Sequence, residues 1–345
     1  MAILATPHER ALTLLFAELE RAASEQREVL IGTPGTIAER TNAQGTRYWV
    51  RRYSDAVGKR KEEYIGKVGD TDAETRVQRA RAQIDATNAA IASVRLLERA
   101  GFATVDRKAY FTIASLHNHR LFAAGAFVIG AHAYGAMLNA LGVRAVPYST
   151  EDLDIARREA LALPDLPSFL EMLQASGIDF FEVPQLKRRQ PSTSFAERGG
   201  SRLRVDLLVP STNDEYPAIP VPELKAHATG LPYLAYLLGD SQMVPVLSVH
   251  GVVTVRVPVP ERYAVHKLIV SQLRARTSSK PERDLLQAAT LIDALVERFP
   301  GAVEDALAAV PKSASRHLAR GIKALTTHLP RPAEMAWETL EGARK

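Results

Sequence analysis

The sequence predicts an α+β protein, with a small mixed β-sheet, flanking helices, an N-terminal β-hairpin and a C-terminal helical bundle. Two kinds of periodicity support this fold class. Apolar residues three and four positions apart indicate helices, as at Leu12, Phe16 and Leu19. Apolar residues two positions apart indicate strands, as at residues 203–209. Both patterns occur before residue 261, and helical patterns dominate after it.

The composition is that of a globular protein and excludes several kinds of site. The chain has 345 residues, 46% hydrophobic and 24% charged, which is enough to bury more than one module. The absence of cysteine excludes disulfides, zinc–thiolate centres and thiol nucleophiles. The net charge of +5 suits a polyanionic partner, but a basic solvated surface is the more ordinary explanation. We find no signal peptide and no apolar run of the ~18 residues that span a bilayer, so we expect a cytoplasmic protein without a membrane partner.

Residues 1–125 are predicted to form helices with an inserted β-hairpin. The first helix is expected to begin near Thr6, with Thr6 as its cap and Pro7 in its first turn. The three helices are expected over residues 6–30, 71–100 and 106–124. The hairpin occupies residues 36–68, with two clear strands and room for a third near Thr36.

Aromatic and basic side chains are mixed along this hairpin, which suits contacts with nucleic-acid bases and phosphates. The candidate residues are Arg47, Tyr48, Arg51 and Arg52. A second basic stretch supplies three more: Lys187, Arg188 and Arg189. The alternative is a hairpin that packs its aromatic side chains on a neighbouring helix, and the sequence leaves both open.

The central stretch, residues 127–155, is predicted to be a short apolar strand, a turn at Gly130, a helix and a second strand. Asp152 and Asp154 lie two positions apart on that second strand, so they project from the same face. Two adjacent carboxylates repel each other unless a cation lies between them. The pair therefore indicates a metal-dependent phosphoryl- or nucleotidyl-transfer site.

A third carboxylate occurs on a later strand. Residues 194–210 are predicted to form a hairpin around a Gly-Gly turn, with Asp206 on the face opposite the apolar residues. Aspartate is unfavourable within strands, so Asp206 needs a functional explanation. Together the three carboxylates are candidates to bind Mg²⁺ (or Mn²⁺), which prefers oxygen ligands.

The remainder of the chain completes the predicted layout. Residues 211–251 are expected to be rich in loops, followed by a strand over 252–259 and a helix over 261–276 that carries Lys267. The rest is predicted to be largely helical. We therefore expect a core domain over residues 126–260 and a helical region over 261–345.

The order of these motifs resembles the DNA-polymerase-beta-like nucleotidyltransferase superfamily. The motifs are Gly130-Ala131 between a strand and a helix, then Asp152 and Asp154, then Asp206. The chain is most similar to an uncharacterised bacterial family with the nucleotidyltransferase fold. It is distantly similar to the nucleotidyltransferase toxins of abortive-infection systems. The resemblance covers roughly residues 110–295.

The resemblance implies a role for each matching residue. Asp152 and Asp154 would be the metal-binding pair, and Asp206 the third carboxylate, which assists deprotonation of the acceptor hydroxyl. Gly130 and Lys267 would hold the triphosphate of an NTP. Three further residues are candidates for NTP contacts: Ala131, His132 and Arg204. Ala131 departs from the superfamily, which usually has Ser or Gly there. A merely hydrogen-bonded histidine and a plain salt bridge to the aspartates are the alternatives for His132 and Arg204.

The expected function is metal-dependent transfer of an NMP from NTP to an acceptor hydroxyl, with RNA or tRNA as the acceptor that the basic segments suggest. One alternative is a catalytically weak or inactive nucleic-acid-binding or toxin–antitoxin-type interaction protein with the same fold, which Ala131 favours. A second is a small-molecule (antibiotic) nucleotidyltransferase. The glycine signatures of P-loop and dinucleotide-binding proteins and the serine nucleophile elbow are absent from the sequence.

Overall fold

The computed structural model describes residues 4–146, 150–162, 167–185, 190–199, 203–212, 216–274, 279–325, 328 and 334–342. The strands are β1 (Thr6–Pro7), β2 (Thr36–Thr41), β3 (Arg47–Ser54), β4 (Arg60–Lys67), β5 (Ala126–Ile129), β6 (Val143–Arg144), β7 (Asp152–Arg157), β8 (Phe180–Glu182), β9 (Ser194–Glu197), β10 (Arg204–Ser211), β11 (Ala218–Val221), β12 (Ala226–Pro232), β13 (Ser241–Ser248) and β14 (Gly251–Pro258). The helices are α1 (Arg10–Ser24), α2 (Thr71–Arg99), α3 (Arg107–Asn118), α4 (Gly130–Ala140), α5 (Phe169–Gln174), α6 (Leu234–Leu237), α7 (Pro260–Ser271), α8 (Lys280–Arg298), α9 (Ala302–Ala308), α10 (Ser315–Leu325) and α11 (Glu334–Gly342). The α+β class with a mixed sheet and flanking helices is therefore confirmed.

The central sheet has the strand order β11-β12-β10-β7-β5. Strand β10 runs parallel to β7 on one side and to β12 on the other, and the outer strands β5 and β11 pair antiparallel to their neighbours. The pairing of β10 with β7 sets Asp206 beside Asp154 and Arg204 beside Asp152. Two carboxylates that lie far apart in the sequence thereby become neighbours.

One edge of β10 is shared by two strands. The first part of β10, at residues 204–206, pairs with β9, while residues 208–211 pair with β12. The two partner strands therefore follow one another along the same edge. Where they meet, side chains rather than a continuous backbone ladder bridge the gap, because Thr229 of β12 contacts Thr193 just before β9.

A separate hairpin, β13–β14, supplies much of the core. Its eight-residue pairing is continuous, and Val253, Val255 and Val257 are fully buried. The prediction of a strand over 252–259 is confirmed, but the prediction that residues 211–251 are rich in loops is wrong, since β11, β12 and β13 all lie there. Strand β12 lacks the β-branched and aromatic pattern of a strand, and its pairing with β10 and β11 determines its conformation.

The N-terminus also differs from its prediction. Thr6 and Pro7 form a short antiparallel pair with β6 instead of beginning a helix. Helix α1 begins only at Arg10 and ends at Ser24. The prediction of a helix from residue 6 is therefore wrong, because the strand pairing takes the backbone that the helix would have used.

The N-terminal aromatic and basic segment forms a three-stranded antiparallel sheet, β2-β3-β4, with the third strand near Thr36 that the sequence allowed. This sheet packs on α2, where the Trp49 indole N–H donates to Glu74 at 2.8 Å. Trp49 is half-buried, whereas Tyr64 is 61% exposed. The sheet thus buries part of its aromatic content, as the packing interpretation requires, and leaves part on the surface.

The C-terminal region is helical in the residues described. Helices α7 and α8 carry the most buried apolar side chains of this region, and α9 and α10 pack against α7. No helix in the described part of the chain is long and apolar enough to cross a membrane. The domain boundaries at residues 125 and 260 remain predictions.

Candidate active site

Three aspartates meet on one face of the central sheet. In β7, Leu153 and Ile155 are fully buried, so Asp152 and Asp154 project from the opposite face, as strand periodicity predicted. Asp206 projects beside Asp154 from the adjacent strand. All three line one cavity of about 280 Å³.

Gly130 lies against this carboxylate group, at the point where β5 turns into α4. Its φ is +69°, a conformation that favours glycine. A Cβ on Gly130 would lie 2.2 Å from Oδ2 of Asp154, so a side chain has no room there. The first turn of α4 has no side-chain cap, which leaves its N–H groups available to an anion. The glycine therefore allows close approach of both a carboxylate and a helix N-terminus.

Cationic side chains line the same cavity. The Lys267 Nζ donates to Oδ1 of Asp284 at 2.7 Å, and the Arg274 Nε donates to Oδ2 of the same carboxylate at 2.5 Å. The side chains of Lys267 and Asp284 are nearly buried, at 11% and 3% exposure, while Arg274 is 37% exposed. One carboxylate thus balances two cations, and the group has a net charge of +1 facing the aspartates.

Tyr263 connects this group to the glycine turn. Its hydroxyl donates to the carbonyl oxygen of Gly130 at 2.9 Å and contacts Gln287 of α8 at 3.3 Å. Burial and the nearby Asp284 carboxylate raise the pKa of Tyr263 well above its usual value, so it remains a neutral donor. The sequence analysis identified Lys267 as a candidate but did not connect it to Asp284.

The electrostatics of the carboxylate group favour a bound cation. Burial, followed by the charge of Asp206, raises the pKa of Asp154 to about 6, although the charge of Lys267 opposes the shift. Burial also lowers the pKa of Lys267, and Asp284 opposes this. The charges of Asp206 and Asp152 thus disfavour the ionised form of Asp154, which is the condition that a divalent cation relieves.

The donor set fits Mg²⁺ or Mn²⁺, which take hard oxygen ligands and complete their coordination with water and substrate phosphates. In the described residues, no three His, Asp or Glu side chains form a ready-made metal cage. Oδ1 of Asp206 instead accepts from the Arg204 guanidinium at 2.9 Å. Asp152 and Asp154 are therefore the residues that would hold the ion, while Asp206 beside them is paired with Arg204.

Two of the residues predicted to contact NTP line a different cavity. Ala131 and His132 lie at a cavity of about 440 Å³ between α4, residues 101–106 and β13. His132 is 9% exposed, its Nε2 has no hydrogen-bond partner in the residues described, and burial lowers its pKa. The structure thus separates these side chains from the cavity with the aspartates, although their backbone belongs to the first turn of α4.

The residues predicted to contact nucleic acid differ in burial and in their ion pairs. Arg51 is buried, and its guanidinium donates to the carbonyl oxygens of Ile31, Thr33 and Pro34, a structural role that the sequence did not indicate. Arg47 is paired with Glu39. Arg52 is exposed beside Glu62, and Tyr48 packs on Tyr64 with ring centroids 5.9 Å apart. The other three candidates lie outside the described residues: Lys187, Arg188 and Arg189.

A protein-family comparison agrees with this arrangement. Residues 109–311, more than half of the chain, match the model of a nucleotidyltransferase family. This span contains the three aspartates, Gly130 and the Lys267–Asp284–Arg274 group. The chain belongs to this nucleotidyltransferase family. No curated protein matches the chain.

Proposed function

We propose that this protein transfers a nucleoside monophosphate from an NTP to an acceptor hydroxyl and releases pyrophosphate, with Mg²⁺ or Mn²⁺ as cofactor. The observation that carries the proposal is that carboxylates and cations line one cavity. Three aspartates and Gly130 line it together with Lys267 and Arg274, which share the carboxylate of Asp284. A metal–triphosphate needs both negative ligands for the ion and positive partners for the phosphates.

The residues divide the work by charge. Asp152 and Asp154 would bind the metal, which neutralises charge on the triphosphate and on the leaving pyrophosphate. Lys267, Arg274 and the N–H groups at the start of α4 would bind the phosphate oxygens. Apolar residues including Leu234, Leu237 and Val270 line the same cavity and suit the nucleoside. In the reaction the acceptor oxygen bonds to the α-phosphorus, the bond to pyrophosphate breaks, and Asp206 accepts the hydroxyl proton.

Ala131, where the similar superfamily usually has Ser or Gly, is compatible with these residue roles. Its side chain lines the neighbouring cavity, so the missing hydroxyl would not have faced the aspartates. The backbone at this position still belongs to the first turn of α4. Phosphate binding through N–H groups therefore does not depend on the side chain at residue 131.

An RNA acceptor is the extension of this function that the N-terminal sheet supports. The Arg107 guanidinium of α3 donates to the carbonyl oxygen of Asp55, in the turn between β3 and β4, at 2.5 Å. The next residue, Lys108, forms an ion pair with Glu197 of β9 at 2.7 Å. The sheet with the exposed Tyr64 is thereby joined through α3 to the strand beside Asp206.

The direct test is incubation of the protein with α-labelled NTPs, Mg²⁺ and total RNA. We expect label to appear in RNA, and to disappear in Asp152→Ala and Asp154→Ala variants. Labelling that survives both substitutions overturns the proposal. Isothermal titration distinguishes the inactive alternative, because an interaction protein would retain RNA binding but show no Mg²⁺-dependent binding of NTP.

A further inference from the structure

A second cavity borders Asp206, and Arg204 lines it whereas Lys267 and Arg274 do not. Its volume is about 380 Å³, and it shares four lining residues with the cavity of the aspartates. The shared residues are Asp206, Leu208, Tyr216 and Leu231. The two cavities are therefore adjacent, with the third carboxylate at their boundary.

The walls of this second cavity carry hydrogen-bonding side chains at the gap between β9 and β12. Thr193 and Thr229 join their hydroxyls at 2.8 Å, and the Gln185 amide donates to the Thr193 hydroxyl at 3.1 Å. The Arg204 guanidinium donates to the Ser194 hydroxyl at 2.7 Å. Thr193 and Ser194 are each only 3% exposed. Buried polar side chains are normally hydrogen-bonded, and these hydrogen bonds hold the side chains of the cavity wall in place.

The charge of this surface is balanced. In the described part of the chain, the charged residues that line it are Arg204 and Asp206, and they are paired with each other at 2.9 Å. A polycationic acceptor such as an aminoglycoside needs several carboxylates, and a phosphate group needs a cation that is not already balanced. Among the residues described, the surface offers neither.

The side chains of this surface can both donate and accept further hydrogen bonds. Whichever threonine hydroxyl donates to the other, one O–H of the pair is left over, and the Ser194 hydroxyl still has its own O–H because it accepts from Arg204. The amide oxygen of Gln185 remains as an acceptor among the residues described. A phosphate only accepts and an ammonium group only donates, whereas a hydroxyl does both.

We propose that this cavity is the acceptor subsite, and that it takes an uncharged sugar with adjacent free hydroxyls, one of which receives the nucleotidyl group. This inference rests on the proposed nucleotidyl transfer. The sugar's other hydroxyls would bond to Thr193, Ser194 and Gln185, which places the reacting hydroxyl at Asp206. Both a terminal ribose of RNA and a free nucleoside or sugar present this chemistry.

The experiment compares acceptors in the presence of Mg²⁺ and an α-labelled NTP. The acceptors are total RNA, the same RNA after periodate oxidation, adenosine, glucose, the aminoglycoside kanamycin and a protein extract. We expect label on a neutral acceptor with adjacent hydroxyls, and its loss when periodate destroys the terminal diol of RNA. Comparing the labelling of RNA with that of adenosine and glucose shows whether the sugar is a terminal ribose of RNA or a free nucleoside or sugar.

Two variants test the residues themselves. Thr193→Val and Thr229→Val keep the side-chain shape and are each expected to raise the acceptor KM about tenfold, the effect of one or two lost hydrogen bonds, with the NTP KM unchanged. Thr112→Val is the matched control, because Thr112 is also buried but its hydroxyl donates to a backbone carbonyl within α3.

The outcomes separate the two proposals. Mg²⁺-dependent NTP binding together with preferred labelling of kanamycin or protein, or with no transfer to any diol-bearing acceptor, overturns the subsite alone. An unchanged acceptor KM in both threonine variants does the same. Absence of Mg²⁺-dependent NTP binding overturns the proposed function and the subsite together.

Discussion

At the scale of single residues, Gly130 determines whether the carboxylate group can form at all. Both its backbone conformation and the position of Asp154 require a hydrogen in place of a side chain. We expect Gly130→Ala to abolish Mg²⁺-dependent NTP binding, measured by isothermal titration, because the new methyl group displaces the Asp154 carboxylate.

Gly45 provides the matched control for this substitution. Its φ of +77° is similar, but a Cβ at this position meets nothing within 4 Å. Gly45→Ala should cost only the ~1–2 kcal/mol of a left-handed alanine and leave NTP binding intact. Equal loss of NTP binding in the two variants would contradict the role assigned to Gly130.

Asp154 should weaken the metal-free fold at neutral pH. Because its pKa is raised from 3.8 to about 6, its favourable contribution is fully present below about pH 3.8 and is lost as pH rises through 6. The side chain is only partly shielded from water, so we expect Asp154→Asn to raise the free energy of unfolding by about 1–2 kcal/mol at pH 7–8 in EDTA.

The pH dependence distinguishes an effect of the Asp154 charge from a general change in stability. The gain from Asp154→Asn should shrink toward pH 4, where the native carboxyl is protonated. Asp152→Asn is the control, because Asp152 is exposed. Added Mg²⁺ should raise the melting temperature of the native protein and not that of Asp154→Asn. A variant that is less stable than the native protein at pH 8 in EDTA would refute this explanation.

At the scale of elements, α7 and α8 are joined by the buried Lys267–Asp284 pair. Removing one partner of such a pair leaves the other charge buried and costs about 3–5 kcal/mol. We therefore expect Asp284→Asn to lower the free energy of unfolding by this amount near neutral pH, measured by urea denaturation, and to weaken NTP binding. Asp293→Asn on the same helix should change little, because Asp293 has no ion pair among the described residues.

The sign of the pH effect follows from Lys267. Burial lowers its pKa and Asp284 opposes this, so the pKa falls further in Asp284→Asn. A folded-state pKa below the unfolded value means that stability is lost as pH falls, so the deficit of the variant should shrink at about pH 9. A deficit that is constant with pH would show that the loss comes from packing rather than from the lysine charge.

Local sequence patterns predicted some of the site residues, whereas contacts between separate elements left no signal in the sequence. Asp152 and Asp154 were predictable because strand periodicity is local, and Asp206 because aspartate is unfavourable within a strand. The contacts of Asp284 were not, because they join α8 to Lys267 and Arg274, which lie 17 and 10 residues earlier in the chain. Strand β12 was missed for a similar reason, since its neighbours rather than its own residues make it a strand.

At the scale of the whole molecule, the N-terminal sheet lies outside the span that matches the nucleotidyltransferase family. It is nevertheless joined to the core, through α2 at Trp49 and through α3 at Arg107. Its basic side chains are partly neutralised by Glu39 and Glu62, so its affinity for nucleic acid would depend on the aromatic rings as well as on charge. A test of this sheet therefore separates the proposed RNA acceptor from a small one.

We expect the paired rings of Tyr48 and Tyr64 to stack on RNA bases. Base–aromatic stacking contributes about 1–3 kcal/mol per base, so the double variant Tyr48→Ala/Tyr64→Ala should weaken RNA binding by about tenfold or more in a filter-binding assay. The Kd for Mg²⁺–NTP should not change, because neither ring lines the cavity of the aspartates. Leu96→Ala, which removes a similarly exposed apolar side chain from α2, is the control. If both variants bind RNA as the native protein does, the sheet has no part in acceptor recognition, and an acceptor small enough for the cavity beside Asp206 becomes the better explanation.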